Sequence, residues 1–178
     1  MRVIGGEFRS RVLKSLPGND VRPTPDRLRE ALFNVLAPRI EGSIFVDAYA
    51  GTGAVGIEAL SRGAARVIFI ERSRDAIAVI RENLNTLGIK GRAEVVLGKA
   101  SQRLLRYPSD IVFLDPPYEL QAEYEEAMSA LSSAPPQLAI AQHDRRTPLK
   151  EAYGSFRRIR ELRQGDNLLS FYTPEVPE

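Results

Sequence analysis

The chain predicts an α/β fold: a mostly parallel sheet with helices on both faces. Two observations carry this. After Gly42, short apolar runs alternate with segments of helical periodicity, the pattern of successive strand–helix–strand crossovers. The last two β-like runs, Phe156 to Leu162 and Leu168 to Thr173, are joined across Gln164-Gly165-Asp166-Asn167, so they form an antiparallel pair.

In chain order, Arg2 to Leu16 reads as two short strands around Gly5-Gly6-Glu7, a hairpin. Pro17-Gly18-Asn19-Asp20 is a turn. Thr24-Pro25-Asp26 then opens a helix, with Thr24 as cap, Pro25 in the first turn and Asp26 at the positive end of the dipole. Leu28, Ala31, Leu32, Val35 and Leu36 share its core face, and Pro38 ends it. Strands follow at Ile44 to Asp47, Arg66 to Glu71, Ala93 to Leu97, Asp110 to Asp115 and Gln137 to Gln142. The intervening helices are a segment after Gly51 to Gly56 that ends near Gly63, then Asp75 to Leu87, Ser101 to Arg106 and Tyr124 to Leu131.

A length of 178 residues suits one domain with a small appendage, here residues 1–20 as a basic hairpin extension and 21–178 as the main domain. The absence of cysteine excludes disulfides and thiolate metal sites, and one histidine, His143, cannot build a His-rich site. No apolar run spans a bilayer and no signal peptide is recognisable, so we expect a cytoplasmic protein with no metal and no membrane partner. Net charge is only +2, but Arg2, Arg9, Arg11, Lys14, Arg22, Arg27 and Arg29 crowd the first 29 residues, and Arg157, Arg158, Arg160 and Arg163 form a second cluster. Such clusters either contact a polyanion or form a solvated face. Charge alone leaves both readings open.

Ligands of such sheets bind beyond the carboxyl ends of the strands, where Asp47, Glu71 and Asp115 all lie. The turn Asp47-Ala48-Tyr49-Ala50-Gly51-Thr52-Gly53-Ala54-Val55-Gly56 lets the backbone approach a ligand. Gly51, Gly53 and Gly56 with Glu71, 20 residues after Gly51, also match a dinucleotide fingerprint. Asp47 argues against it, because a carboxylate there repels a pyrophosphate and suits the cationic methionine end of S-adenosylmethionine (AdoMet). Glu71 suits a ribose diol. The candidate cofactor residues are therefore Asp47, Ala48, Tyr49, Gly51, Thr52, Gly53 and Glu71.

Asp115-Pro116-Pro117-Tyr118 is the sharpest signal. Two prolines stiffen the loop and remove competing N–H donors. The Asp115 carboxylate and the Pro116 carbonyl can accept both N–H bonds of an exocyclic amine, while Tyr118 stacks on its ring. A base held in a duplex must first be flipped out. This is amino-methyl transfer, with rate drawn from alignment and from acceptors facing the developing charge.

The chain resembles the RsmD family of small-subunit rRNA guanine-N2 methyltransferases. The resemblance rests on Met1-Arg2-Val3-Ile4-Gly5-Gly6, on Arg22 to Glu30 with Leu32-Phe33-Asn34, on Tyr49 to Gly56, and on Asp115 to Tyr118. It implies a Rossmann-like class I methyltransferase with a seven-stranded, mostly parallel sheet, one antiparallel edge hairpin and an N-terminal β-hairpin extension. It also implies a monomer acting on 16S rRNA in an assembling small subunit. By the same resemblance, Asp47, Gly51 and Gly53 line the methionine end of AdoMet, Glu71 binds the ribose, and Arg72 lies beside the adenine. Asp115 to Tyr118 hold the guanine amine. Arg22 and Thr24 lie beside the cleft, with Arg9, Arg11, Arg22 and Arg27 near RNA. Where relatives carry an acid or amide before an alanine, this chain has Lys99-Ala100. The adenine contact there falls to the Lys99 or Ala100 backbone, because a lysine side chain accepts no hydrogen bond. The segment after Tyr118 is acidic (Glu119, Glu123, Glu125, Glu126) and suits an RNA cleft only if it faces away.

Overall fold

The computed structural model describes residues 1–18, 24–117 and 121–177. Its elements are α1 (Asp26–Ile40), β1 (Ile44–Asp47), α2 (Ala54–Ser61), β2 (Arg66–Glu71), α3 (Arg74–Thr86), β3 (Ala93–Leu97) and α4 (Ala100–Arg103). Then come β4 (Ile111–Leu114), α5 (Ala122–Ser132), β5 (Leu138–Asp144), β6 (Ala152–Tyr153), β7 (Phe156–Gln164) and β8 (Asn167–Pro174). A single 3-10 turn, Leu104–Arg106, prolongs α4. No helix among the described residues is long and apolar enough to cross a membrane.

The sheet has eight strands in the order β3-β2-β1-β4-β5-β8-β7-β6. β1 to β5 are parallel, and β8, β7 and β6 complete the sheet antiparallel. The sequence predicts seven strands; the eighth is β6, whose two residues pair with Phe156 and Arg157 and are too few to show a period.

Side chains alternate across this sheet and fill two cores. Phe45, Val67, Phe69, Ile111, Phe113, Ile140 and Phe171 face α1, α2 and α3. Val46, Ile68, Ile70, Val112, Leu114, Ala139 and Tyr172 face α4 and α5. Burial on both faces explains why the central strands read as unbroken apolar runs. His143 is buried in β5, and both ring nitrogens are hydrogen-bonded, to the Thr147 carbonyl and the Ser170 hydroxyl at 2.8 Å each.

Two expectations about α1 change. Pro25, not Thr24, occupies the cap position, and no side chain caps the helix. Pro25 carbonyl accepts the Arg29 N–H instead, at 3.0 Å. The helix also runs through Pro38 to Ile40. A proline in the last turn deletes one hydrogen bond, the bond to Asn34, whose exposed position leaves its carbonyl open to water. Burial of Ile40 favours the extra turn.

The N-terminal arm is a hairpin with a single antiparallel bridge, Arg2 to Val12, rather than two regular strands. Its intervening turn is held by α2 instead of by strand pairing. Glu58 accepts the Ile4 and Gly5 N–H groups at 2.9 Å each, and the Ser61 hydroxyl accepts the Phe8 N–H at 2.9 Å. Val3 and Leu13 are buried in the same core as α1 and α2. Beneath the arm, Arg29 of α1 and Glu58 of α2 are both fully buried, with Nε to Oε2 at 3.9 Å. Burial pulls the Arg29 pKa down, and Glu58 opposes that. Arg62 donates to Glu58 Oε1 at 2.9 Å and lies over the Phe33 ring.

Removing one member of a buried ion pair leaves an uncompensated charge and costs about 3–5 kcal/mol. We expect that loss for Glu58→Ala in urea denaturation. Glu82→Ala breaks the exposed Lys14–Glu82 pair and should cost less than about 1 kcal/mol. Equal losses for the two variants would refute a special role for the buried pair.

Candidate active site

Strand order reverses between β1 and β4, and the cleft opens above that switch point, as doubly wound sheets require. Register fixes its acids. Asp47 lies opposite Phe113, two residues before Asp115, and the Ala48 N–H bonds the Phe113 carbonyl at 3.0 Å. Glu71 ends β2 on the other side of β1. The cavity has a volume of about 620 Å³ and is lined by residues of both carboxyl-end turns, by the β3–α4 turn, and by Thr24, Glu123, Gln142 and Asn167. That volume lies in the range of small-molecule sites.

The glycine turn is shaped by three local constraints. Gly51 and Gly53 have φ of 56° and 88°, the left-handed region that glycine adopts without strain. Gly56 is a packing glycine: a Cβ there would stand 2.3 Å from Phe69 Cε1, so only glycine lets α2 lie this close to β2. Hydrogen bonds then fix the turn. Glu71 Oε2 accepts the Gly51 N–H at 2.8 Å, and Oε1 accepts the Arg72 and Ser73 N–H groups at 2.9 Å each. Asp47 Oδ2 accepts the Gly56 N–H at 2.9 Å. Glu71 Oε2 and Asp47 Oδ2, each accepting one N–H, keep a second acceptor site.

Electrostatics set this cleft apart. Burial raises Asp47 from 3.8 to about 7, with Glu71 adding to the rise and the Gly56 N–H opposing it. Burial, followed by the charge of Asp47, raises Asp115 to about 7, while a hydrogen bond from Thr24 opposes the shift. Two carboxyls this close to neutrality, side by side and desolvated, make a site that favours a cation or a donor.

The structure brings together most residues that the sequence nominates for a ligand. Asp47, Ala48, Tyr49, Gly51, Thr52, Glu71, Arg72, Lys99, Ala100, Asp115, Pro116, Pro117 and Thr24 all line the cavity. Gly53 sits directly behind it as the cap residue of α2. Arg22 and Tyr118 lie outside the described residues. Arg27 is exposed on α1, next to the cavity-lining Pro25. Arg9 and Arg11 are exposed on the arm and do not line the cavity; Arg11 Nη2 donates to the Thr86 carbonyl at 3.2 Å.

Sequence reasoning missed three polar residues here. Gln142 lies in β5, two residues before its carboxyl end; it is buried, and its Oε1 is 3.5 Å from the Thr24 hydroxyl. A polar residue near an apolar strand's carboxyl end was the available signal. Asn83, on the buried face of α3, donates to the Thr52 carbonyl and the Lys14 carbonyl at 3.1 Å each, and accepts the Lys14 N–H at 2.8 Å. It therefore ties the arm to the glycine turn. Glu123 is buried and accepts the Tyr49 hydroxyl at 3.0 Å. Burial and the Glu123 charge raise the Tyr49 pKa well above its usual range. The acidic segment thus does not simply face away. Glu123 turns inward, while Glu125 pairs with Lys150 at 2.5 Å and Glu126 with Lys99 at 2.7 Å.

Between its ordinary pKa and about 7, folded Asp47 binds a proton that the unfolded chain has released, so stability falls as pH rises through that window. We expect the melting temperature of the wild type minus that of Asp47→Asn to decline from pH 4 to about pH 7 in ligand-free calorimetry. A flat difference would show that burial does not hold this carboxyl protonated.

The family described as conserved hypothetical protein 95 matches residues 1–173. A putative rRNA methyltransferase, YlbH, of Bacillus subtilis is 34% identical over 97% of this chain and 98% of its own. The ribosomal RNA small subunit methyltransferase D of Haemophilus influenzae is 39% identical over 74% of this chain and 70% of its own. Among solved structures, the putative methyltransferase yhhF of Escherichia coli superposes with a TM-score of 0.85 at 36% identity, covering 98% of both chains. With its class I fold, its strand-end acids and these relatives, the chain belongs to the RsmD family of methyltransferases.

Proposed function

We propose that this protein transfers a methyl group from AdoMet to the exocyclic N2 amine of a guanine in 16S rRNA, within a small-subunit assembly intermediate. The observation that carries the reading is the seating of Asp115 and Pro116 in the same cavity wall as Asp47 and Glu71. The relatives named as small-subunit rRNA methyltransferases support the acceptor class.

The residues fit AdoMet on observations of this structure. The desolvated Asp47 and Asp115 carboxyls favour a cationic ligand. Glu71 is pinned by three backbone N–H groups yet keeps acceptor capacity toward the cavity, where a ribose diol would donate. Gly51 presents bare backbone. Asp47, Ala48, Tyr49, Gly51, Thr52 and Gly53 would hold the methionine end, Glu71 the ribose, and Arg72, Lys99 and Ala100 the adenine.

AdoMet, when bound, supplies a methyl group already activated on a sulfonium. The chain's own residues do the rest. Asp115 and the Pro116 carbonyl accept the two N–H bonds of the amine and hold it in line with the cavity. As charge develops on the nitrogen, the Asp115 carboxylate faces it. A carboxyl whose pKa lies near 7 is also matched to taking the released proton. Thr24 donates to Asp115 and steadies its orientation. Tyr118 stacks on the base. Residues 1–20 act as a basic RNA-contacting extension of the 21–178 domain, with Arg9, Arg11, Arg22 and Arg27 near phosphates. The protein works as a monomer in the cytoplasm.

The test is labelled-methyl transfer to small subunits purified from cells lacking this protein, with the modified nucleotide mapped. We expect one guanine to be labelled, and Asp115→Ala to lower the rate by about 100-fold or more, the scale of losing a key acceptor for developing charge, with the fold intact by far-UV circular dichroism. Label on DNA or on another base would overturn the acceptor assignment, and full activity of Asp115→Ala would overturn its role.

A further inference from the structure

The acids of α5 occupy a particular place. The Asp115-Pro116-Pro117 segment leaves β4, and α5, which begins at Ala122, is the next helix. Its first turn is fixed to β5 by the Tyr124 hydroxyl, which donates to the Gln142 carbonyl at 2.6 Å. Beside it, the Glu123 carboxylate accepts the Tyr49 hydroxyl at 3.0 Å. Three residues on, along the same side of the helix, Glu126 pairs with Lys99 at 2.7 Å and accepts from the Ser101 hydroxyl at 3.4 Å. Tyr49 belongs to the β1–α2 turn and Lys99 to the β3–α4 turn, and both line the cavity. One helix therefore clasps two separate turns that line the cavity.

We propose that Glu123 and Glu126 are positioning residues that couple occupancy of the cofactor cavity to the placement of α5, acting through Tyr49 and Lys99. The inference rests on the proposed function and deepens it. A ligand lying between the two turns touches both, and it holds α5 in place to the extent that it binds the clasped arrangement more tightly than the unclasped one. By reciprocity, an acceptor that favours the clasped position of α5 tightens the cofactor site. The two clasps differ in strength. Glu123 is only 7% exposed, so water competes poorly for Tyr49. Lys99 and Glu126 are 40% and 48% exposed, and their attraction is screened. Lys99, which has no acceptor to offer an adenine, thereby gains a role at its position.

The test is hydrogen exchange followed by mass spectrometry, with S-adenosylhomocysteine as the probe and saturation of each protein confirmed by titration. Glu123 lines the cavity, so the readout is the Ala127–Leu131 amides of α5, none of which belongs to a lining residue; their protection reports coupling rather than direct cover. We expect saturating probe to slow their exchange about fivefold or more in the wild type, the lower end of typical coupling between sites. Glu123→Leu should bring this below about twofold, Glu126→Ala should give an intermediate value, and Glu123→Gln, which keeps an acceptor oxygen, should restore it. Equal protection in the wild type, Glu123→Leu and Glu126→Ala would overturn the proposal, as would absence of protection in the saturated wild type. Failure of the wild type to bind the probe appears in the titration itself and counts against the proposed cofactor, separately from the coupling.

Discussion

Asp47 and Asp115 end or follow neighbouring parallel strands, and the register of β1 with β4 forces their carboxyls into one desolvated space. Neither has a basic side chain among the groups that shift its pKa, and both are held near neutrality. The arrangement disfavours ionisation in the empty fold, and a cationic ligand relieves it. The same repulsion that makes the pair unfavourable alone makes the cavity selective, because a phosphate-bearing ligand would add to it. The rest of the site is arranged around this constraint. Thr24 and the Gly56 N–H each give one carboxyl a donor without neutralising it.

Holding two like acids together requires walls that do not yield, and the chain supplies them from a distance. Gly56 allows α2 to sit against Phe69, which sets the height of the Gly56 N–H above Asp47. Two residues on, α2 is fixed by the buried Glu58, which binds the backbone of the N-terminal arm and faces Arg29. Asn83 joins the arm to Thr52 in the glycine turn. The arm is therefore continuous with the cofactor turn through two side chains, Glu58 and Asn83.

Much of this was legible in the sequence because it is written locally. β1, β2 and β3 appear as apolar runs with the observed bounds, and the acids that end β1 and β2, with Asp115 just past β4, mark the cleft without any knowledge of packing. What was not legible depends on partners far away in the chain. Glu58 stands in an otherwise apolar helix and reads as a misplaced charge until Arg29, Ile4 and Gly5 are brought to it. Thr24 reads as a helix cap, since a threonine before Pro25-Asp26 has that chemistry; its contacts with Gln142 and Asp115 come from β5 and from the segment after β4. The acidic segment after Tyr118 is expected to face away from the cleft, whereas the three acids of α5 are taken up by Tyr49, Lys99 and Lys150.

That uptake also bears on how an acidic cavity meets a polyanion. A cluster of free carboxylates beside the mouth would repel the phosphates of RNA. Here Glu123, Glu125 and Glu126 are each compensated within the fold, and Asp47 and Asp115 carry reduced charge near neutral pH. Exposed arginines stand near the cavity: Arg27 on α1, Arg72 in the lining, and Arg145 and Arg146 after β5, the last two paired with Asp166 and Asp144. Under the proposed function, a base would enter a site whose buried acids carry reduced charge while its phosphates stay at the rim near these arginines. The cleft keeps its preference for a cation in the depth and a polyanion at the edge because its acids are desolvated inside or paired at the mouth.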